Sequence, residues 1–209
     1  MKKIIHYATS KMQSDKSGHG LDHIQRVELL SRKLAKKEGG SINKIAVMAW
    51  LHEALDYKFV EQKERAKREV LELISTKFSI SECEEIIFDL ENISFKGGHS
   101  KPLRTLEGKI VQDSDRLDSI GAIGIARAFY YAGHFGEEMH NPKKLPQKFE
   151  SEESYLAYIK AVEGTTINHF YEKLLKVKTL MNSESGRALA IEKDAFLRQF
   201  LDNFISEWV

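Results

Sequence analysis

Residues 18–58 read GHGLDHIQRVELLSRKLAKKEGGSINKIAVMAWLHEALDYK. In the first part, Ile24, Val27, Leu30 and Leu34 recur every three to four residues, the spacing that buries one face of an α-helix over 21–34. His23 adjoins that face. In the second part, 42–51, nearly every residue is apolar (Ile45, Ala46, Val47, Met48, Ala49, Trp50, Leu51), the pattern of a helix crossing the middle of a helical core. Gly39-Gly40 ends the first helix, and Ser41 is placed to cap the second by accepting from a backbone amide that has no partner within the helix. The second helix therefore delivers His52 and Glu53 from inside the protein. A buried imidazole and carboxylate need partners, because an unpaired buried charge is costly, and either hydrogen bonds or a metal ion can supply them.

Outward from this stretch the chain keeps a helical period. Residues 1–13 read as a short helix, and SDKSGHG (14–20) as a loop or helix start that puts His19 four residues before His23. A charged helix is expected over about 61–78. Ser81 and Glu84 have capping-box spacing and place another helix at about 81–93, with Ile86, Ile87 and Leu90 facing the core. ISFKGGHSKPLRT (93–105) is a loop carrying Lys96, His99, Lys101 and Arg104. LEGKIVQDSDRL (106–117) is a helix with Leu106, Ile110, Val111 and Leu117 on its apolar face; Asp115 and Asp118, three apart, share another. The small residues of GAIGIARAFYYAG (121–133) suit close approach of another backbone rather than a phosphate cradle, since no strand precedes them. Residues 134–150 read as a surface loop, 151–170 and 171–180 as helices, and 184–207 as a last helix with a stripe of aromatic residues. The expected fold is all-α and a single domain over 1–209, with the candidate site on helices at about 18–130 and further helices at about 151–207.

Lys plus Arg number 32 and Asp plus Glu 31, a net charge of +1, so no overall field draws the chain to nucleic acid or to an anionic membrane. Cys83 has no cysteine to pair with, which fits a reducing compartment. His6, Ser10, Lys11 and Gln13 interrupt the N-terminus and prevent the apolar core of a signal peptide. A cytoplasmic protein is expected, and the aromatic stripe of the last helix suits either core packing or a homodimer contact.

His23, His52, Glu53 and Asp115 offer two nitrogen and two carboxylate donors on separate helices. HGLDHIQRVELLSRKLA, AWLHEALDYKF and EGKIVQDSDRLDSIGAIGIARAF resemble three motifs of the HD superfamily of metal-dependent phosphohydrolases, in which a His, a His-Asp doublet and a later Asp converge inside a helical bundle. TTINHFYEKLLKVKTLM and FLRQFLDNFISEW resemble a bacterial branch similar to nucleotide pyrophosphohydrolases, so the resemblance covers almost the whole chain. It implies an HD-type helical fold and a divalent ion (Mn, Co, Ni, Fe, Zn or Mg) on His23, His52, Glu53 and Asp115. It also implies hydrolysis of a nucleoside triphosphate to monophosphate and pyrophosphate by metal-activated water. One position departs from the family: Glu53 stands where the doublet has Asp. Glutamate is one methylene longer, whereas ligand distances are held to within about 0.2 Å. The site must then shift, recruit a water or lose the ion, which leaves a weakly active nucleotide-binding protein as an alternative. A phosphodiesterase is another. Asp56, one turn beyond the doublet, is the residue to orient water or a histidine, and His19 a partner of His23 or a proton donor. Arg26, Lys58, Lys96 and Arg116 are the cations available to phosphate.

Overall fold

The computed structural model describes residues 1–56 and 62–208. Among these the regular structure is helical, and an isolated bridge joins Glu138 to Thr165. The chain divides into two compact units, the first made of Met1–Asp15, His19–Phe95 and Ser100–Ser114, the second of Lys16–Gly18, Lys96–His99 and the chain from Asp115 onward.

The first unit holds α1 (Lys2–Met12), α2 (Leu21–Glu38), α3 (Ile42–Leu51), α4 (Lys63–Ile74) and α5 (Ile80–Leu90). α3 packs against α2, α1 and α5. Such enclosure is what its composition requires: Ile45, Val47, Met48, Ala49 and Leu51 are all buried. The reversal between α2 and α3 uses Gly39 and Gly40 at φ +88° and +90°, a left-handed region that a side chain would strain. Ser41 caps α3 as expected, its Oγ accepting from the Lys44 amide at 3.4 Å, while the Ser41 amide donates to Glu107 Oε1 at 2.8 Å. His52 is the residue on which α3 ends.

α5 starts two residues earlier than its expected cap. Ser79 and Glu82 form the capping box, not Ser81 and Glu84, although both pairs fit the pattern. The earlier pair wins because it satisfies the first amides of a longer helix and still buries Cys83, Ile86, Ile87 and Leu90. α6 (Leu106–Asp118) runs unbroken from a start held by Asp89 of α5, whose carboxylate accepts from the Arg104 amide (2.7 Å), the Thr105 amide (3.0 Å) and Thr105 Oγ1 (2.6 Å). A Cβ at Gly108 would come within 2.3 Å of that carboxylate, so glycine is needed there for the two helices to meet.

The second unit holds α7 (Gly121–Phe135), α8 (Glu152–Ala161), α9 (Thr166–Glu172), a 3-10 helix (Leu174–Leu180) and α10 (Glu184–Glu207). The backbone that approaches the small residues of α7 is the turn just before it: a Cβ at Gly124 would lie 2.2 Å from the Ser119 carbonyl carbon. α7 continues through His134 and Phe135, so the expected loop begins later. The helix expected over 151–170 is two helices, because Val162 takes a left-handed conformation (φ +53°) and Thr165 caps a new helix, accepting from the Asn168 amide at 3.1 Å. Phe129, Phe200 and Phe204, each half-buried, form an aromatic cluster with the fully buried Phe170, which is stacked on Phe200 at 5.8 Å.

Asp194 of α10 is buried and accepts from Lys178 (2.6 Å) and Arg198 (2.9 Å). Burial alone would raise its pKa, but the two cations outweigh burial and hold it below the ordinary aspartate value. A carboxyl depressed on folding contributes stability that is present above its unfolded pKa and lost as pH falls through the folded one. The urea midpoint of wild type should therefore exceed that of Asp194→Asn by a constant margin at neutral pH, and the margin should shrink below about pH 4. A margin independent of pH would contradict this assignment.

Candidate metal centre

His23 sits in the first turns of α2 and His52 at the end of α3, and the packing of those two helices brings the imidazoles together in the buried interior. Their rings lie edge to face with centroids 5.0 Å apart, and their Nε2 atoms are separated by 3.0 Å. His52 Nδ1 lies 2.7 Å from the Ala49 carbonyl oxygen. A carbonyl only accepts, so Nδ1 carries the proton and donates, and Nε2 turns a lone pair toward His23. A hydrogen bond on the far nitrogen is what fixes a histidine as a ligand through the near one.

Asp115 stands on α6 between the buried Ser114 and Asp118. One ligand atom from each of His23, His52 and Asp115 lies within 4.8 Å of the other two. The donor set fits a divalent ion. Two imidazole nitrogens 3.0 Å apart can share one proton or serve as adjacent donors to one small cation, given metal–nitrogen distances of about 2.0–2.1 Å. Imidazole with carboxylate suits borderline and hard divalent ions rather than thiolate-selected metals.

Glu53 is buried, with Oε1 3.2 Å from His23 Nε2 and 3.7 Å from His52 Nε2. Burial would raise its pKa, but the hydrogen bond from His23 and the charges of His19, His52 and His23 prevail, so the carboxyl lies well below its usual range. An ionised carboxylate at this distance orients His23 and adds negative charge beside the site. Glu53→Gln should weaken divalent-ion binding by about 10- to 100-fold in a calorimetric titration, the usual effect of losing such an outer contact. An unchanged affinity would show that the charge plays no part.

Asp56 is buried beyond the doublet and accepts from Ser94 Oγ. The His19 ring stands edge-on to that of His23 with centroids 5.8 Å apart, and its amide donates to Asp15 Oδ2 at 2.9 Å. Three of the four expected phosphate-binding cations have protein partners. Arg26 pairs with Asp22 at 2.6 Å, Lys96 with Glu152 at 3.0 Å, and Arg116 donates to the Leu180 carbonyl. The Asp22 side chain is 72% exposed, so the Arg26 pair is weak and exchangeable, whereas Lys96 is only 14% exposed and engaged within its own unit. Lys58 lies outside the described residues. Sequence reading did not single out Ser94 or Gln112: Ser94 lies outside the three motifs, and Gln112 stands within the third without being assigned a role there.

No family model matches the chain. The Bacillus subtilis protein YpgQ is 31% identical over 202 residues, 95% of this chain and 89% of that protein. The crystal structure of YpgQ in complex with ADP superposes with a TM-score of 0.76, covering 99% of this chain and 94% of that one at 27% identity. A crystal structure of a Lactobacillus plantarum protein matches at TM-score 0.86 and 39% identity, covering 99% of this chain and 95% of its own. An HD-superfamily hydrolase from Bacillus thuringiensis matches at TM-score 0.72 and 33% identity, again over 99% of this chain and 95% of its own.

Proposed function

This chain belongs to the HD superfamily of hydrolases, and from that membership we propose that it hydrolyses nucleoside triphosphates to the monophosphate and pyrophosphate. The observation that carries the proposal is the convergence of His23, His52 and Asp115, a ligand set for one divalent ion. The ADP held by YpgQ supports a nucleotide as the substrate class.

His23, His52 and Asp115 would hold a divalent ion, which would supply electrophilic assistance to a phosphoryl oxygen and make water acidic enough to attack near neutral pH. The protein's own groups do the rest. His52, locked by the Ala49 carbonyl, presents its Nε2 lone pair, whereas His23 Nε2, which donates to Glu53, must give up that proton before it can hold an ion. Asp56 orients the attacking water. The bond that forms joins water oxygen to the α-phosphorus; the bond that breaks is the α–β anhydride, and pyrophosphate leaves. We assign to His19 the proton given to that leaving group, and to Arg26 the exchange of Asp22 for a phosphate oxygen.

No helix among the described residues is long and apolar enough to cross a membrane. The test of the proposal is a panel of nucleoside triphosphates given to metal-stripped protein resupplied separately with Mn, Co, Ni, Zn and Mg, with pyrophosphate and phosphate quantified apart. Metal-dependent pyrophosphate release in equal amount to monophosphate is expected. Release of single phosphate, or turnover only of a cyclic or dinucleotide, would replace this reading with a phosphatase or a phosphodiesterase. No turnover from folded protein with any ion would point instead to nucleotide binding without catalysis.

A further inference from the structure

We infer that Ser94 and Gln112 are positioning residues for the proposed hydrolysis, forming with Asp56 a polar network that fixes the Asp56 carboxylate after the His52-Glu53 doublet. The inference rests on the reading of Asp56 as the group that orients water. Ser94 lies in the segment leaving α5 and donates its hydroxyl to Asp56 Oδ2, across 38 residues of sequence. That segment has no regular structure of its own around Ser94, so something else must hold it.

Gln112 does. It is buried on α6, and its Nε2 donates to the Asn92 carbonyl at 3.2 Å and to the Ile93 carbonyl at 3.1 Å, the two residues directly before Ser94. Both amide protons are thus spent on one short piece of backbone. Asn92 adds a second clamp: its side chain donates to the Phe88 carbonyl at 2.8 Å and accepts from the Lys101 amide at 3.3 Å, closing the base of the 93–100 loop. Asp89 closes the same loop from the other side through Arg104 and Thr105.

The polar residues therefore form a chain with a direction. The helix that carries Asp113 and Asp115 grips the backbone at 92–93, this places the Ser94 hydroxyl, and the hydroxyl fixes the rotation of Asp56. Asp56, Asn92, Ser94 and Gln112 all belong to the first compact unit. A network that only stabilised the loop would not need Ser94 to reach a buried carboxylate on a segment so distant in sequence. A serine donating to one carboxylate oxygen leaves the direction of the other defined, which is what a water-orienting acid requires, since a misplacement of about 1 Å can cost on the order of 100-fold in rate.

The test uses Ser94→Ala, Ser94→Thr, Asp56→Asn and the Ser94→Ala/Asp56→Asn double variant in the full chain. Ser94→Ala should lower kcat by about 10-fold or more with KM and Mn affinity unchanged within about twofold, because the carboxylate is present but loosely aimed. Ser94→Thr, which keeps the hydroxyl, should restore the rate. The double variant should be no slower than Asp56→Asn alone, since the serine acts through the aspartate. Additive losses, or a Ser94→Ala protein with wild-type kcat, would overturn the inference. Should wild type turn over no nucleotide at all, the function fails, and crystal structures of wild type and Ser94→Ala still decide the network. A rotated Asp56 side chain supports it, and an unmoved one refutes it.

Discussion

Replacing either His52 or Asp115 by alanine is expected to abolish metal-dependent nucleotide hydrolysis while leaving a folded helical protein. The expected loss is on the order of 1000-fold or more, because an electrophilic ion contributes several kcal/mol to the barrier and each ~1.4 kcal/mol is a factor of ten. The two residues reach the site by independent routes, His52 from the end of the buried α3 and Asp115 from the unbroken α6. His52→Ala also removes the bond to the Ala49 carbonyl and the contact with His23 Nε2. Circular dichroism and bound-metal analysis should show helix retained and ion lost. His134→Ala, an exposed position in the last turn of α7, is the control and should keep full turnover. Wild-type rates in both His52→Ala and Asp115→Ala would remove these residues from the site.

The largest stability effect is expected from Phe170→Ala. Phe170 of α9 is fully buried, stacked on Phe200 of α10 at 5.8 Å and set edge-on to Phe129 of α7 at 6.1 Å, so one ring joins three helices of the second unit. Truncation loses the transfer free energy of the ring and leaves a cavity lined by other rigid rings that cannot collapse into it. Such changes cost about 3–5 kcal/mol. For a chain of this size that corresponds to a fall in Tm on the order of 10 °C. Phe170→Leu should recover more than half of the loss by refilling most of the volume. A fall of less than about 1 kcal/mol for Phe170→Ala would mean that this cluster is not the core of its unit.

The helices that carry the site were legible because their signals are physical and local. The period of Ile24, Val27 and Leu34, the unbroken apolar run of α3 and the Gly39-Gly40-Ser41 punctuation each state one fact about burial or backbone conformation, and each appears in the structure. Elsewhere the local code was degenerate. Ser79-Glu82 and Ser81-Glu84 are equally good capping boxes, and the choice fell to helix length. The break at Val162 carried no glycine at the left-handed position; the usable signals were Gly164 and the Thr165 cap just after it. A Cβ at Gly164 would come within 2.6 Å of the Tyr158 hydroxyl.

The candidate ligands split along the same line. One ligand atom each of His23, His52 and Asp115 lies within 4.8 Å of the others, and the Glu53 carboxylate lies against the two histidines, 3.2 Å and 3.7 Å from their Nε2 atoms. That outcome depends on an atom's reach, which spacing in sequence does not encode. The partners of Arg26, Lys96 and Arg116 are likewise properties of tertiary packing: a surface acid, a neighbouring helix start and a carbonyl at the end of a 3-10 helix. Ser94 and Gln112 act through backbone carbonyls and a carboxylate far away in sequence, so composition and period gave no sign of them.

The most direct test of the metal centre is anomalous diffraction from crystals of the protein grown with Mn. One peak bounded by His23 Nε2, His52 Nε2 and the Asp115 carboxylate is the predicted result. A protein that hydrolyses nucleotides with Mn yet shows its peak on other residues would contradict the account.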